Sequence, residues 1–462
     1  MNQFYKNYKK EIFLFLLMLV LELAMIFVLI QKNSLDIFFR SDGYQYQTLV
    51  INFINHGAFS LDEQAPFMPT DYRTPIYPAW LAVIYFIFNS FKPAIFIGAA
   101  IFSLSAPLVY LIGKEIFSEK TAFISAILFA VEPWAIFQGG FLAAEQIATP
   151  VFFLAIYLFC RYLKSGESYY IYWASAISGI AALIRPATLY FVLIFALLAF
   201  IAELRFSILK SFKTAALVIL IFTAILSPWL IRNKIVLNTW QLSSSASNGV
   251  IYMESYLLNK YLGKITNEPE WEKAEQILGI KIYGPNAIAN AIKNSENTKI
   301  LADYAIKEIK SNKAAFITMH LKNAALFLVK NSYGNIFLDL KISNADIQSK
   351  IKSFLLKKDF FGLASFIKNV SIGSKILILV SLFWPVIIFL AILGVYNIFK
   401  KDYRNPLYWF LLLWILYFPA LMADFHDISR YKLSINPSLF MLAVLGFYKM
   451  KNLFLISVKK ND

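Results

Sequence analysis

The feature that most limits this chain is a succession of apolar runs, each long enough to act as a solvent-excluded segment in hydrocarbon. The first extends from Ile12 to about Ile30, and others occupy about 76–90, 93–112, 121–138, 146–163, 169–184, 187–203, 212–230, 375–397, 407–422 and 433–448. A bilayer core of roughly 30 Å needs about 20 apolar residues in a helix. Inside it every backbone N–H and C=O has to be satisfied within the chain, so runs of this length read as helices. With 59% hydrophobic residues, 17% aromatics and a mean hydropathy of +0.60 over 462 residues, the chain exceeds what a soluble core requires. The class is an all-α polytopic membrane protein.

Charge then orders the runs. The net charge of +16 comes from Lys and Arg in short loops between apolar runs and in one large polar region. That is the pattern of membrane orientation and not of nucleic-acid binding. Lys6, Lys9 and Lys10 before the first run read as an uncleaved anchor with a cytoplasmic N-terminus. If 76–90 spans, the basic loops around Lys114, Arg161, Arg205 and Lys400 face outward. If it is interfacial or re-entrant, these loops fall inside together with Lys449 to Lys460, leaving about ten transmembrane helices and a cytoplasmic C-terminus. Pro75 and Pro78, which interrupt a helix start, favour the second reading. The expected organisation is an N-terminal transmembrane module, 1–230, whose first outer loop (31–92) holds interfacial helices; a mainly helical outer region, 231–373; and C-terminal transmembrane helices, 374–462. The outer region shows helical spacing at 287–309 and 313–330, and part of it is expected to lie on the bilayer. The single Cys160 sits in an apolar run, where it packs and has no partner for a disulfide within the chain.

On this topology the chemistry-bearing residues gather at one face: Asp42, Arg73, the turn between Glu132 and Glu145, Arg185, the outer region and the loop 424–432. A carboxylate and a guanidinium at the bilayer surface are able to activate a hydroxyl and grip a lipid phosphate, the two ends of one transfer reaction. Each residue also has a plainer reading. Asp42 is placed to cap a helix from about Gly43 to Asn55 whose apolar face is Tyr46, Leu49, Val50, Phe53 and Ile54. Glu145 begins a span, where negative charge suits the helix dipole. Arg73 and Arg232 sit at headgroup depth, where arginine snorkels to ordinary lipid, and Arg185 beside Pro186 reads as a helix-end cation. Glu132, before Pro133, reads as a solvated interfacial acid. With three histidines in the chain, a metal site is not expected, although Asp42, Glu145 and a water have the chemistry to hold a divalent cation.

The Asp42 segment, Arg73-Thr74-Pro75-Ile76-Tyr77-Pro78, Glu145 at the head of a span, Arg185-Pro186, Ser227 to Asn233 and the late His426 to Tyr431 loop resemble the polyprenyl-phosphate-sugar glycosyltransferases of the type C membrane fold. That superfamily includes protein O-mannosyltransferases and lipid A aminoarabinose transferases. The resemblance covers about the first 240 residues and the last loop. It implies inverting transfer of a sugar from a polyprenyl, undecaprenyl-type, phosphate to a lipid, glycan or protein acceptor on the outer face, as in lipopolysaccharide or protein glycosylation. The richness in Lys, Ile, Asn and Phe and the short loops read as a bacterial inner membrane with a periplasmic outer face, and no cofactor is expected. By the same resemblance Asp42 is the catalytic base with Glu145 as second carboxylate, and Arg73, Arg232, Arg430 and Arg185 bind the donor phosphate. Tyr44, Tyr77, His426 and Tyr431 would line the substrate. Relatives carry Asp-Glu in the first outer loop where this chain has Asp42-Gly43, and lysine before paired prolines where it has Arg73-Thr74-Pro75. Two other classes remain open on the sequence, a transporter or flippase and a non-enzymatic envelope scaffold. A transporter predicts internal repeats and charges near the midplane, and a scaffold predicts tolerance of a change at Asp42.

Overall fold

The computed structural model describes residues 2–40, 42–265, 269–279, 295–342, 347–422 and 428–461. Among its described residues helix is the regular structure, at 82%, and there are no strands. Among the described residues six helical segments are long and apolar enough to cross a membrane: Tyr8–Lys32, Lys92–Ile116, Glu145–Ser165, Pro186–Leu204, Ile208–Leu237 and Ile372–Asp402. Ile76–Phe88, Ser168–Ile184 and Pro406–Met422 are apolar but shorter. At 1.5 Å per residue the 13 residues of Ile76–Phe88 reach about 20 Å, so this helix is too short to cross the hydrocarbon alone. The run read as 121–138 is divided, because Pro133 opens a new short helix, Pro133–Gln138, after Glu119–Ala130.

The chain packs as two units. The first comprises 1–40, 95–170 and 326–462, and the second 41–94 and 171–325, so the region 231–373 is shared between them. In the first unit the helices Phe383–Asp402 and Asn436–Asn461 approach with small residues at the crossing. A Cβ on Gly394 would lie 2.0 Å from the Leu442 carbonyl oxygen, and one on Gly446 1.9 Å from that of Leu390, so only glycine admits this approach. Glu22, midway along the first span, is fully buried and accepts a hydrogen bond from Ser103 Oγ at 3.2 Å.

In the second unit the helix Ser244–Tyr261 packs along Ser295–Ser311, with Glu270–Leu278 against them. Tyr252, Ala274 and Leu301 form the core of this helical group, joined by Ile277 and Leu278. This helical group lies within the region 231–373. The amphipathic pattern anticipated at 287–309 appears as Ser295–Ser311; its earlier part lies outside the described residues.

Candidate active site

Two polar constellations are built, one within each unit. In the second unit, Asp42 opens the helix Asp42–His56, whose buried side is formed by Tyr46, Leu49 and Val50. Phe53 and Ile54, expected on that same side, are exposed. At the head of this helix the Asp42 carboxylate, beyond any capping role, meets Arg73: Nη2 donates to Asp42 Oδ1 at 2.5 Å. Arg73 Nε and Nη2 also donate to Gln45 Oε1, at 3.0 and 2.6 Å. The guanidinium is flanked by the rings of Tyr46 and Tyr72, at 5.0 and 5.1 Å from their centroids. Such flanking orients a planar cation while leaving it delocalised. The two side chains are 18% and 20% exposed, so the pair is sheltered yet reachable from solvent.

Arg73 is held in place from below. Pro75 precedes the helix Ile76–Phe88, and Thr74 Oγ1 donates to the Ile184 carbonyl at 3.0 Å. That bond ties the stretch carrying Arg73 to the stretch carrying Arg185, which follows the helix Ser168–Ile184 and precedes a short 3-10 turn at Pro186–Phe191. Tyr77 is fully buried, edge-on to Tyr46 with centroids 4.6 Å apart, so it supports the ring beneath Arg73. Tyr44 is exposed; its hydroxyl donates to Glu63 Oε1 at 3.3 Å, and the Glu63 charge raises the phenol's pKa above its ordinary value.

Arg232 is in the same unit and has different contacts. Its Nη1 donates to the Thr70 carbonyl at 2.9 Å and to Asn233 Oδ1 at 3.0 Å. Its guanidinium lies over the Trp229 ring at 4.8 Å. One residue on, Asp71 is fully buried, and its Oδ2 accepts from both the backbone N–H and the hydroxyl of Ser244, each at 2.5 Å. Ser243 Oγ donates to the Tyr72 carbonyl at 3.2 Å. Residues 70–72 are therefore clasped by the end of the helix Ile208–Leu237 and the start of Ser244–Tyr261, immediately before Arg73. Asp71 was not singled out from the sequence. The available signal was a carboxylate two residues from Arg73 together with the serine run 243–245, which is a helix-start composition.

In the first unit, Glu145 opens the helix Glu145–Ser165 and is fully buried. Arg430, on the short helix Ile428–Lys432, donates through Nε to Glu145 Oε1 at 2.6 Å. These two residues were chosen separately from the sequence, and the structure joins them. Tyr431 on the same helix is half-buried, and His426 lies outside the described residues. Glu132 corrects the expectation of a solvated acid, because it is 1% exposed. One oxygen caps Pro133–Gln138 by accepting from Ala135 N–H at 2.7 Å, and the other accepts from Tyr333 Oη at 2.7 Å. Nearby, Lys432 is buried over the Trp384 ring, 3.7 Å from its centroid, and donates to the carbonyls of Leu328 and Lys330. Burial pushes the Lys432 ammonium below its ordinary pKa, opposed by the charge of Glu132. A buried charge is tolerated where its donors and neighbours are met in this way.

Among the described residues no three His, Cys, Asp or Glu side chains gather as a cation site.

No curated protein matches the chain. Among solved structures, the crystal structure of the Archaeoglobus fulgidus oligosaccharyltransferase, tethered with an acceptor peptide containing the NVT sequon, is similar at 14% identity and a TM-score of 0.43, covering 96% of this chain and 50% of that one. The archaeal oligosaccharyltransferase AglB from the same organism, in complex with an inhibitory peptide and a dolichol-phosphate, gives 16% identity and a TM-score of 0.44, covering 99% and 52%. The chain thus spans about half the length of these proteins. Residues 72–231, from just before Arg73 to just before Arg232, match the family model of the dolichyl-phosphate-mannose-protein mannosyltransferases, in line with the resemblance that the sequence motifs show.

Proposed function

We propose that this chain is a membrane glycosyltransferase that moves a sugar from a polyprenyl phosphate, of the undecaprenyl type, to an acceptor hydroxyl or phosphate at the outer face of a bacterial inner membrane. The observation that carries the reading is the Asp42–Arg73 pair, with Arg73 at the start of the segment that matches the lipid-phosphate-mannose transferase model. The charge of the short loops supports the sidedness, since the basic loops collect on one side when Ile76–Phe88 does not span.

The pair suggests an exchange. Arg73 offers a planar, always-charged donor set that fits a phosphate as well as a carboxylate. A donor phosphate arriving at Arg73 competes with Asp42 for the same guanidinium. As the phosphate takes over, the carboxylate is released to accept a hydrogen bond from the acceptor hydroxyl. The acceptor oxygen then attacks the anomeric carbon, its proton passes to Asp42, and the bond from that carbon to the phosphate oxygen breaks. The departing polyprenyl phosphate carries away the electron pair, its growing charge held by Arg73. A single displacement of this kind inverts the anomeric centre. Tyr46 and Tyr72 keep the guanidinium in plane throughout, and the Asp71 clasp holds the backbone that presents it.

The test is transfer of radiolabelled sugar from polyprenyl-phosphate donors in membranes containing the native chain or Asp42→Asn at matched folded amounts. Transfer by the native chain and its loss in the variant support the assignment, whereas equal transfer removes Asp42 from the mechanism. Absence of transfer by either chain across several donors would shift the reading to a transporter or scaffold.

A further inference from the structure

We infer that residues 347–369 form a hairpin that docks on the bilayer through a phenylalanine tip and binds anionic phospholipid headgroups through its lysines. The helices Ile347–Leu356 and Phe360–Asn369 are joined by a tight reversal at Lys357-Lys358-Asp359, where Lys358 adopts a left-handed backbone at φ 55°. Asp359 Oδ1 caps the second helix by accepting from Gly362 N–H at 2.8 Å. Phe354 and Phe366 close the inner side, with ring centroids 5.5 Å apart.

That packing leaves the tip apolar and bare: Phe360 is 65% exposed and Phe361 93%. Two adjacent exposed phenylalanines mark a surface that something covers. Continuity with a span identifies the cover. The apolar segment Ile372–Asp402 begins three residues after the hairpin ends, and its exposed Ile372, Ile376, Leu379, Leu382, Val386 and Phe389 recur at helical spacing as a lipid-facing stripe. Ile372 follows Phe361 by eleven positions, helical as far as Asn369, so the tip lies no more than about 23 Å from the start of the span, within reach of the headgroup layer.

Charge selects the lipid class. Between Ile347 and Lys375 there are six lysines and one acid, Asp359. Lys350, Lys357, Lys358, Lys368 and Lys375 are exposed. A helix that pairs bare aromatics with lysines lies in the interface, with the rings at the acyl boundary and the ammonium groups among lipid phosphates. The inference does not depend on the proposed transfer reaction.

The test uses the full chain in nanodiscs, with Cys160 left in place because it is buried, and a spin label at Phe361→Cys or, as a second site, Phe360→Cys. In phosphatidylglycerol discs the label should collide more with oxygen than with a water-soluble nickel chelate. Lys357→Gln with Lys358→Gln should shift the label towards water, with the bilayer-bound population falling about fivefold per lysine relative to detached. A nickel-accessible label in phosphatidylglycerol overturns docking on lipid, and a label shielded from both reagents assigns the tip to a protein contact and overturns it as well. Equal embedding in phosphatidylglycerol and phosphatidylcholine overturns the selection of anionic lipid.

Discussion

Asp42→Asn should lower turnover while tightening the donor, and the two opposite effects follow from one ion pair. The Asp42 and Arg73 side chains are about one-fifth exposed, and their charged atoms are 2.5 Å apart. A fully exposed pair contributes about 0.2–1 kcal/mol and a sheltered charge-assisted hydrogen bond about 1.5–3, so a value near 1 kcal/mol is reasonable here. On the proposed exchange, a donor phosphate displaces this interaction as it engages Arg73. Asparagine fills the same volume without the charge and relieves that competition, so the donor's apparent affinity should rise about fivefold. Loss of the proton acceptor acts in the other direction, since general-base catalysis contributes about a hundred- to ten-thousandfold, or roughly 3–5 kcal/mol.

The assay is initial-rate sugar transfer over a range of donor concentrations, with the folded amount fixed by size-exclusion chromatography in detergent. Chemistry is slow in the variant, so its KM approaches the donor Kd and reports the pair directly. A kcat within about threefold of native would refute the role of Asp42 as base. A fall in kcat accompanied by a rising donor KM would refute the exchange, because it would mean that Asp42 helps hold the donor instead of competing with it.

Asp71→Ala should destabilise the chain by about 1–2 kcal/mol, the loss of a buried cap on Ser244, seen as a lower melting temperature in detergent; Asp71→Asn, which keeps an acceptor oxygen, should recover most of it. Lys432→Met leaves Glu132 buried beside an apolar neighbour and should cost about 3–5 kcal/mol, whereas adding Glu132→Gln should restore much of the loss; simple additivity in thermal unfolding would show that the two charges do not interact. Gly446→Ala brings a Cβ to 1.9 Å from the Leu390 carbonyl oxygen, so the helices have to separate at a cost of about 1–3 kcal/mol; an unchanged melting temperature would contradict the crossing.

The apolar runs were legible as helices because hydrocarbon leaves such a run no alternative to internal hydrogen bonding; among the described residues six of the helical segments have the length and hydropathy of a span, where about ten were expected. The interfacial face of Asp42–His56 was legible only in part. Alternation at helical spacing identifies an apolar side but not whether lipid or protein meets it, so Phe53 and Ile54 were grouped with Tyr46 although they are exposed. The partners of charges were harder to read, because each depends on contacts that are remote in sequence. Asp42 meets Arg73 across 31 positions, Glu145 meets Arg430 across 285, and Asp71 meets Ser244 across 173.

Residue type establishes that a carboxylate near a bilayer has to be matched, and the fold decides by what. The choice separates groups that looked alike. Arg73 is spent on a carboxylate that a phosphate is able to replace, while Arg232 is spent on the Thr70 carbonyl, a neutral backbone group belonging to the clasp behind Arg73. A phosphate presents Arg73 with the same kind of anionic, bidentate partner as a carboxylate, which is what the proposed exchange requires. Taking Arg232 away from Thr70 would instead loosen the loop that presents Arg73. On the proposed exchange, the two arginines therefore divide the work, Arg73 meeting the donor phosphate and Arg232 supporting the backbone that carries it.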